Sequence, residues 1–340
     1  MKAIIDYSDR MNQHNTDNFR GVIIWQVPLE EGEQGIPEAL QDLADGRDFV
    51  QAGSPEAIAG ILDRVEIAIG HIPFSLVPKM PNLKWAQMWS AGADILQRYP
   101  ELKAHPFKLT STSGMHRQQI AEHAFGMILA RNRRLDLALE AQMERRTYRP
   151  SGPELDTLEG KKMFILGYGA VGSRIAEIAK AFGMEVTGFR RSASNLGESG
   201  AVRELLADRF IHELPQADYV VNMLPYTQDT HHYFGEAQLR VMKKTAVYVN
   251  LGRGGTTDEQ ALINALKSRA IAWALLDVSE IEPLPADSEL WNLDNVFYTS
   301  HYSGASPLYT ALALEVCREN FERYTAGDPL INLINKEAGY

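Results

Sequence analysis

An α/β fold built on two open, parallel sheets is predicted by three observations. Short β-rich runs alternate with helical runs in two series, a turn-rich linker separates the series, and the second series opens on a strand that runs into a glycine-spaced turn and a helix. At 340 residues the chain is long enough for two domains. In the first series, from Gly21 onward, VIIWQV, DFVQAG, EIAIG, LKWAQMW and FKLT read as strands. PEALQDLADG and SPEAIAGIL read as helices between them, which gives a small parallel sheet of about five βα units. Ile120, Ala124, Met127, Ile128 and Leu135 then fall on one helical stripe and predict a single long helix from about Met115 to Arg146. SGPELDTLEG is the linker. KMFILGYG, EVTGF, DYVVNML, TAVYVNLG, IAWALLDV and NVFYTS follow as strands of a doubly wound sheet, with DEQALINALKSR a clear intervening helix. Ser306–Pro307 caps a last helix to about Tyr324, with Leu312, Val316, Phe321 and Tyr324 on one face.

Charge and composition exclude several partners. A formal net charge of −10 opposes binding to nucleic acid or to an anionic membrane, because phosphate partners need a basic field. No segment approaches the ~18 uninterrupted apolar residues of a membrane span. The single cysteine, Cys317, cannot form an intrachain disulfide and reads as helix packing, so a reducing, cytoplasmic compartment is expected. Arg131, Arg133, Arg134, Arg145, Arg146 and Arg149 alternate with Asp136, Glu140 and Glu144, the pattern of a solvated or interface face. No cluster of His, Cys and Asp has metal-ligand spacing, and no metal is expected.

Gly167, Gly169 and Gly172 form G-x-G-x-x-G between the strand MFIL and the helix VGSRIAEIAKAF. The first glycine permits the tight turn, the second lets backbone approach a pyrophosphate, and the third lets helix pack on strand. The free N–H groups at the helix start, around Ala170 and Val171, then hold the anion. This context predicts dinucleotide binding. At the end of the next strand an acidic residue would bond the ribose hydroxyls of NAD, but Arg190, Arg191 and Ser192 stand there. Arginine can fork onto a 2′-phosphate that a carboxylate would repel, and a serine can add a hydroxyl bond. NADPH is therefore the expected cofactor, with NAD(H) bound more weakly.

Three ionisable residues lie at strand ends of the second series: Arg253, Glu282 and His301. Ligands in open α/β sheets bind at the carboxyl ends of strands, so these three can converge. Hydride transfer to a 2-oxo acid needs a cation for the carboxylate and carbonyl, an acid for the new alkoxide, and a carboxylate to keep that acid charged. Arg, His and Glu are those types.

NMLPYTQDT, MKKTAVYVNLGRGGTTDEQALINAL and ALLDVSEIEPLPADSELWNLDNVFYTSHYSG, in this order around the glycine turn, resemble the D-isomer-specific 2-hydroxyacid dehydrogenase family, closely from about Leu83 onward. The resemblance implies two Rossmann-like domains. A doubly wound cofactor domain, residues 112–304, would be inserted in a smaller flavodoxin-like substrate domain, residues 1–111 and 305–340. It implies that Arg253 binds the substrate carboxylate and carbonyl, that His301 is the general acid/base, and that Glu282 raises the His301 pKa. Asp277 would bond the nicotinamide carboxamide, and Leu224, Pro225, Leu251, Gly252, Ser303 and Gly304 would line the cofactor. Ala91 and Gly92, in WSAGAD, would present backbone N–H groups to the carboxylate, which suits small residues. The implied reaction is reversible reduction of a small 2-oxo acid, of the glyoxylate or hydroxypyruvate kind, to the D-2-hydroxy acid, in a homodimer joined through the cofactor domains. Departures are mild: Ser300 stands where proline is common, Ser279 where an aromatic is, and Thr257 where valine is. Met88 and Trp89 are bulkier than expected just before the carboxylate loop. Related scaffolds leave two alternatives open, a phosphite-type dehydrogenase and a cofactor-sensing, corepressor-like binding protein.

Overall fold

The computed structural model describes residues 21–27, 38–44, 46–51, 55–191 and 202–340. The chain divides into two compact units. The first comprises Met1–Trp89, Glu101–Thr110 and Cys317–Leu333; the second comprises Ser90–Pro100, Ser111–Val316 and Ile334–Tyr340.

The first unit holds a five-stranded parallel sheet of β1 (Val22–Gln26), β2 (Asp48–Gln51), β3 (Val65–Gly70), β4 (Trp85–Met88) and β5 (Lys108–Thr110), in the order β2-β1-β3-β4-β5. Ile23 of β1 lies opposite both Phe49 and Ile67. All six residues of β3 are buried, as a parallel strand covered on both faces requires. Met88 and Trp89 belong to this core, and Trp89 packs edge-on against Trp25 at 5.7 Å. The helix Tyr309–Ala326 brings Cys317, Asn320 and Phe321 fully inside, and burial pushes the Cys317 thiol pKa up to about 12. Asn320 Nδ2 donates to Gln87 Oε1 at 2.8 Å, which satisfies a polar pair inside an otherwise apolar layer.

The second unit holds a seven-stranded sheet of β6 (Lys162–Leu166), β7 (Glu185–Arg190), β8 (Arg203–Leu206), β9 (Tyr219–Asn222), β10 (Val247–Asn250), β11 (Trp273–Leu276) and β12 (Val296–Tyr298). Its order is β12-β11-β10-β9-β6-β7-β8, every neighbour parallel. The order reverses direction between β6 and β9, the switch point at which such sheets open a crevice. One face packs Phe164, Phe189, Phe210, Phe234 and Tyr248 against the helix Glu259–Lys267. The other packs Ile165, Tyr219, Val221 and Val249 against the helices Arg117–Asn132 and Ala170–Ala181.

Two features depart from the sequence-based expectation. The long helix ends at Asn132 and a second begins at Leu135, because Arg134 adopts left-handed backbone at φ +50°. The guanidinium of Arg134 lies over the Trp273 ring at 5.2 Å, a contact that holds the break in place. The break rotates Leu135 off the buried stripe and into the open. The edge strand β8 was not foreseen: RELL carries no alternation, and only its last three residues are half-buried.

Candidate active site

The phosphate turn is built as the glycine spacing requires. Gly167 sits at φ +90°, and a Cβ there would lie 2.7 Å from the Met223 carbonyl oxygen. A Cβ at Gly172 would press on Gly167 O and Ile165 at 3.0 Å, so the helix Ala170–Ala181 can approach β6 only because that residue has none. Gly169 caps this helix, and a Cβ there would meet nothing within 4 Å. Open space thus stands beside the exposed Ala170 and half-buried Val171, whose N–H groups begin the helix and have no intrahelical partner. These residues fit a dinucleotide pyrophosphate.

Arg190 ends β7. Its Nε donates to Glu204 Oε2 of β8 at 2.6 Å, and its guanidinium lies 5.0 Å from the Tyr168 ring. Arg191 is exposed, with its guanidinium 4.8 Å from the Tyr340 ring. Ser192 lies outside the described residues.

The loops after β9 and β10 are held by one device used twice. Asn222 and Asn250, the last residues of these strands, each accept from the N–H two residues on: Leu224 N at 3.0 Å and Gly252 N at 3.1 Å. Their amide nitrogens donate to Tyr248 Oη and Thr256 Oγ1, and to Thr257 Oγ1, inside the sheet edge. Burial raises the Tyr248 pKa and keeps the phenol neutral. Leu224, Pro225, Leu251 and Gly252 are thereby fixed on one rim. A Cβ at Gly252 would sit 2.8 Å from Leu224 O, and one at Gly254 would sit 1.9 Å from Ser279 O, so three loops interlock.

Glu282 and His301 meet at this edge. His301 Nδ1 lies 2.7 Å from Glu282 Oε2, and Ser279 N donates to Glu282 Oε1 at 3.2 Å. Ser279 Oγ donates to Ile281 O at 2.8 Å and closes the turn that carries the carboxylate. The Glu282 hydrogen bond raises the His301 pKa above its ordinary value, outweighing burial and the charge of Arg253. Burial works against ionised Glu282, but the bond to His301, its charge, Ser279 N and Arg253 together lower the Glu282 pKa. The two shifts agree in describing a carboxylate–imidazolium pair. With Nδ1 committed to the carboxylate, Nε2 is the nitrogen left to exchange a proton with a ligand.

His301 has left-handed backbone, φ +55°, a conformation that costs about 1–2 kcal/mol outside glycine. Asp277 holds it there. Its carbonyl accepts from His301 N at 2.7 Å, and its carboxylate accepts from Tyr302 N, Ser303 N and Thr299 Oγ1. Asp277 is wholly buried, and its carboxylate ties down the loop 299–303. His123 Nε2 lies 2.9 Å from Thr299 Oγ1 and supports the same loop, and Gly304 packs on the buried ring of His116.

Arg253 follows β10 and is clamped at two edges. Nη1 donates to Gly252 O at 2.8 Å, and Nε donates to Asp94 Oδ2 at 2.8 Å. A Cβ on Gly92 would fall 1.8 Å from Nη2, so only glycine admits the guanidinium beside the backbone of Ala91 and Gly92. Every predicted site residue on the described chain thus lies in the second unit, and Arg253, Glu282 and His301 come together. Sequence reasoning missed Asp94, Glu204 and the Asn222/Asn250 pair. A signal for the last was present: VVNML and YVNLG repeat Val-Asn at two strand ends. Among the described residues no His, Cys, Asp and Glu group could hold a metal ion.

Comparison with known proteins identifies the family. A family profile described as D-isomer specific 2-hydroxyacid dehydrogenase, NAD binding domain, matches residues 125–303. Glyoxylate reductase of Aeropyrum pernix is 36% identical over 275 residues, 78% of this chain and 81% of that protein. Glyoxylate/hydroxypyruvate reductase B of Enterobacter sp. is 33% identical over 298 residues, 83% of this chain and 86% of that protein. A D-isomer specific 2-hydroxyacid dehydrogenase from Xanthobacter autotrophicus Py2, solved in complex with NADPH and MES, superposes with a TM-score of 0.78 at 28% identity, covering 94% of this chain and all of that one. A profile spanning more than half of the chain, relatives above 30% identity and a shared fold together establish that this chain belongs to the D-isomer-specific 2-hydroxyacid dehydrogenase family, NAD(P)-dependent oxidoreductases of 2-oxo and 2-hydroxy acids.

Proposed function

We propose that the protein reduces a small 2-oxo carboxylate to the D-2-hydroxy acid at the expense of NADPH, reversibly. The His301–Glu282 pair beside Arg253 carries this reading, because a charged imidazolium next to a fixed guanidinium is the equipment for protonating an alkoxide formed on an anionic substrate. Arg253 Nη2, with the N–H groups of Ala91 and Gly92, binds the carboxylate and polarises the carbonyl. His301 Nε2 delivers the proton to the carbonyl oxygen, and Glu282 holds the ring and its charge. The dinucleotide, when bound, supplies the hydride. Gly167, Gly169, Ala170, Val171 and Gly172 would hold its pyrophosphate, and the rims at Leu224–Pro225, Leu251–Gly252 and Ser303–Gly304 would line it. Asp277 would bond the nicotinamide carboxamide and position the last of these rims. In this reading residues 112–304 form the cofactor domain, and residues 1–111 with 305–340, which include Ala91 and Gly92, form the substrate domain. The test is a panel of glyoxylate, hydroxypyruvate, pyruvate and phenylpyruvate with NADPH and NADH; no turnover of any 2-oxo acid with either cofactor would defeat the proposal.

The preference for NADPH rests on Arg190 and Arg191 at the end of β7, where neither residue is acidic. A charge-assisted hydrogen bond contributes about 1.5–3 kcal/mol, and ~1.4 kcal/mol is tenfold. NADPH is therefore expected to exceed NADH by roughly 10- to 100-fold in kcat/KM, and Arg190→Ala/Arg191→Ala should abolish the difference. Equal use of both cofactors by the unaltered enzyme would remove the proposal.

A homodimer is also proposed. On the helix Leu135–Met143, Leu135, Leu139 and Met143 are 53%, 59% and 79% exposed and stand four residues apart on one face. Such a stripe seeks a partner. Leu139→Glu/Met143→Glu should shift the molar mass measured by light scattering from two chains to one; an unchanged mass would place the interface elsewhere. No helix among the described residues is long and apolar enough to cross a membrane, which accords with a cytoplasmic site of action.

A further inference from the structure

The two arginines that end β7 are not equivalent. Arg190 is already engaged: Glu204 Oε2, a carboxylate oxygen in a side chain almost wholly removed from solvent, accepts from its Nε at 2.6 Å, and the Tyr168 ring lies under its guanidinium. A phosphate approaching Arg190 meets a pair whose charges cancel, with an anion at its back. The neighbour differs. Arg191 has no carboxylate partner among the described residues, and its one contact there is the face of Tyr340. That contact occupies a face of the guanidinium and leaves its N–H edges, which bind phosphate, available.

Tyr340 is itself held in place. Its carbonyl oxygen accepts from Asn335 N at 3.0 Å, Gly339 N donates to Asn335 O at 2.8 Å, and Ala338 N donates to Asn335 Oδ1 at 3.0 Å, so residues 335–340 form a closed turn. Gly339 stands at φ +83° and is buried; a Cβ there would lie 3.3 Å from Thr227 Cγ2 and 3.5 Å from Gln97 Nε2. Thr227 belongs to the loop after β9, whose Pro225 carbonyl is tied down by Thr230 Oγ1. The turn therefore rests on the cofactor rim and lays an aromatic ring against the arginine beyond β7.

Given the reading of this edge as an NADPH site, we infer that Arg191 is the residue that discriminates the 2′-phosphate, that Tyr340 is a specificity-determining residue that backs its guanidinium, and that Arg190 with Glu204 and Tyr168 forms a charge-neutral wall. Fixing the face of an arginine before the ligand arrives removes part of the ordering cost of binding its edge. A ring without charge gives the same support to the guanidinium in the absence of a 2′-phosphate but gains nothing for NAD.

Calorimetric titration of the full chain with NADP⁺ and with NAD⁺ tests this without relying on turnover. Arg191→Ala should weaken NADP⁺ binding at least about tenfold more than NAD⁺ binding. Arg190→Ala should weaken both by the same factor. Tyr340→Ala should weaken NADP⁺ binding about two- to fivefold more than NAD⁺ binding, as expected for loss of a partly exposed cation–π contact. Tyr340→Phe should restore the ratio, and in the Arg191→Ala background Tyr340→Ala should change nothing further. Tyr340 is well exposed, so these variants are expected to fold, and thermal melts check that. If Arg191→Ala is selective but Tyr340→Ala affects both dinucleotides equally or neither, the role of Tyr340 falls while the NADPH reading stands. A selective loss in Arg190→Ala and none in Arg191→Ala overturns the division of labour. If the double arginine variant keeps its preference for NADP⁺, neither arginine discriminates and this inference fails while the NADPH reading stands; if the unaltered chain binds both dinucleotides equally, the NADPH reading fails and this inference with it.

Discussion

His301→Ala is expected to lower kcat for 2-oxo acid reduction by at least ~100-fold, the scale of general acid catalysis, while NADPH binding survives. The imidazole is half-exposed and its one fixed partner is Glu282, so its removal empties no core. The backbone bonds that Asp277 makes to residues 301–303 involve main-chain N–H groups and remain in the variant. A stopped-flow measurement of the hydride step in His301→Ala separates chemistry from product release. Near-normal turnover at neutral pH would remove His301 from the mechanism.

The same pair sets the pH dependence. In the proposed mechanism reduction needs His301 protonated, and Glu282 raises its pKa, so reduction should persist to a higher pH than an ordinary histidine allows and fall as pH rises through the raised value. Oxidation of the hydroxy acid needs the neutral ring and should show the opposite limb. In Glu282→Gln the main cause of the upward shift is gone, while burial and Arg253 still depress the pKa; the reductive limb should move to lower pH. An identical profile in the variant would mean that the two side chains are not coupled in solution.

Most of the sheets could be read from sequence because parallel strands covered on both faces leave continuous apolar runs such as EIAIG, MFIL and YVVN. β8 escaped because an edge strand needs apolar residues on one side only, and RELL is too short to show alternation. The break at Arg134 escaped because the apolar stripe continues in register on both sides of it, and left-handed backbone at an arginine is set by tertiary contacts such as that with Trp273. The meeting of Arg253, Glu282 and His301 was legible, since all three stand at strand ends on a sheet's carboxyl edge. Their supports were not. Glu204 and Asp94 are acids facing the arginines expected to bind anions, and charge reasoning along the chain would place neither there; only the fold brings them within 2.6 and 2.8 Å.

Arg253 should show the second large effect. Arg253→Ala is expected to lower kcat/KM for the 2-oxo acid by about 10²–10³-fold, the range for removing a preorganised donor from a developing oxyanion. Arg253→Lys should recover little. An ammonium retains the charge but lacks the planar fork, and the clamp that aims the guanidinium, with Gly252 O on Nη1 and Asp94 on Nε, has no counterpart for a lysine. Both kcat and KM should suffer, because the carboxylate is bound in the ground state and the carbonyl oxygen gains charge only in the transition state. Gly92→Ala supplies an independent approach to the same residue: its methyl would fall 1.8 Å from Nη2, so the guanidinium must leave its position although it is chemically intact. That variant should reproduce the loss of 2-oxo acid turnover with NADPH binding retained. If Arg253→Ala alters thermal stability but leaves both kinetic constants within about twofold, a change worth under ~0.5 kcal/mol, the guanidinium serves only the packing of its loop and the substrate carboxylate binds elsewhere.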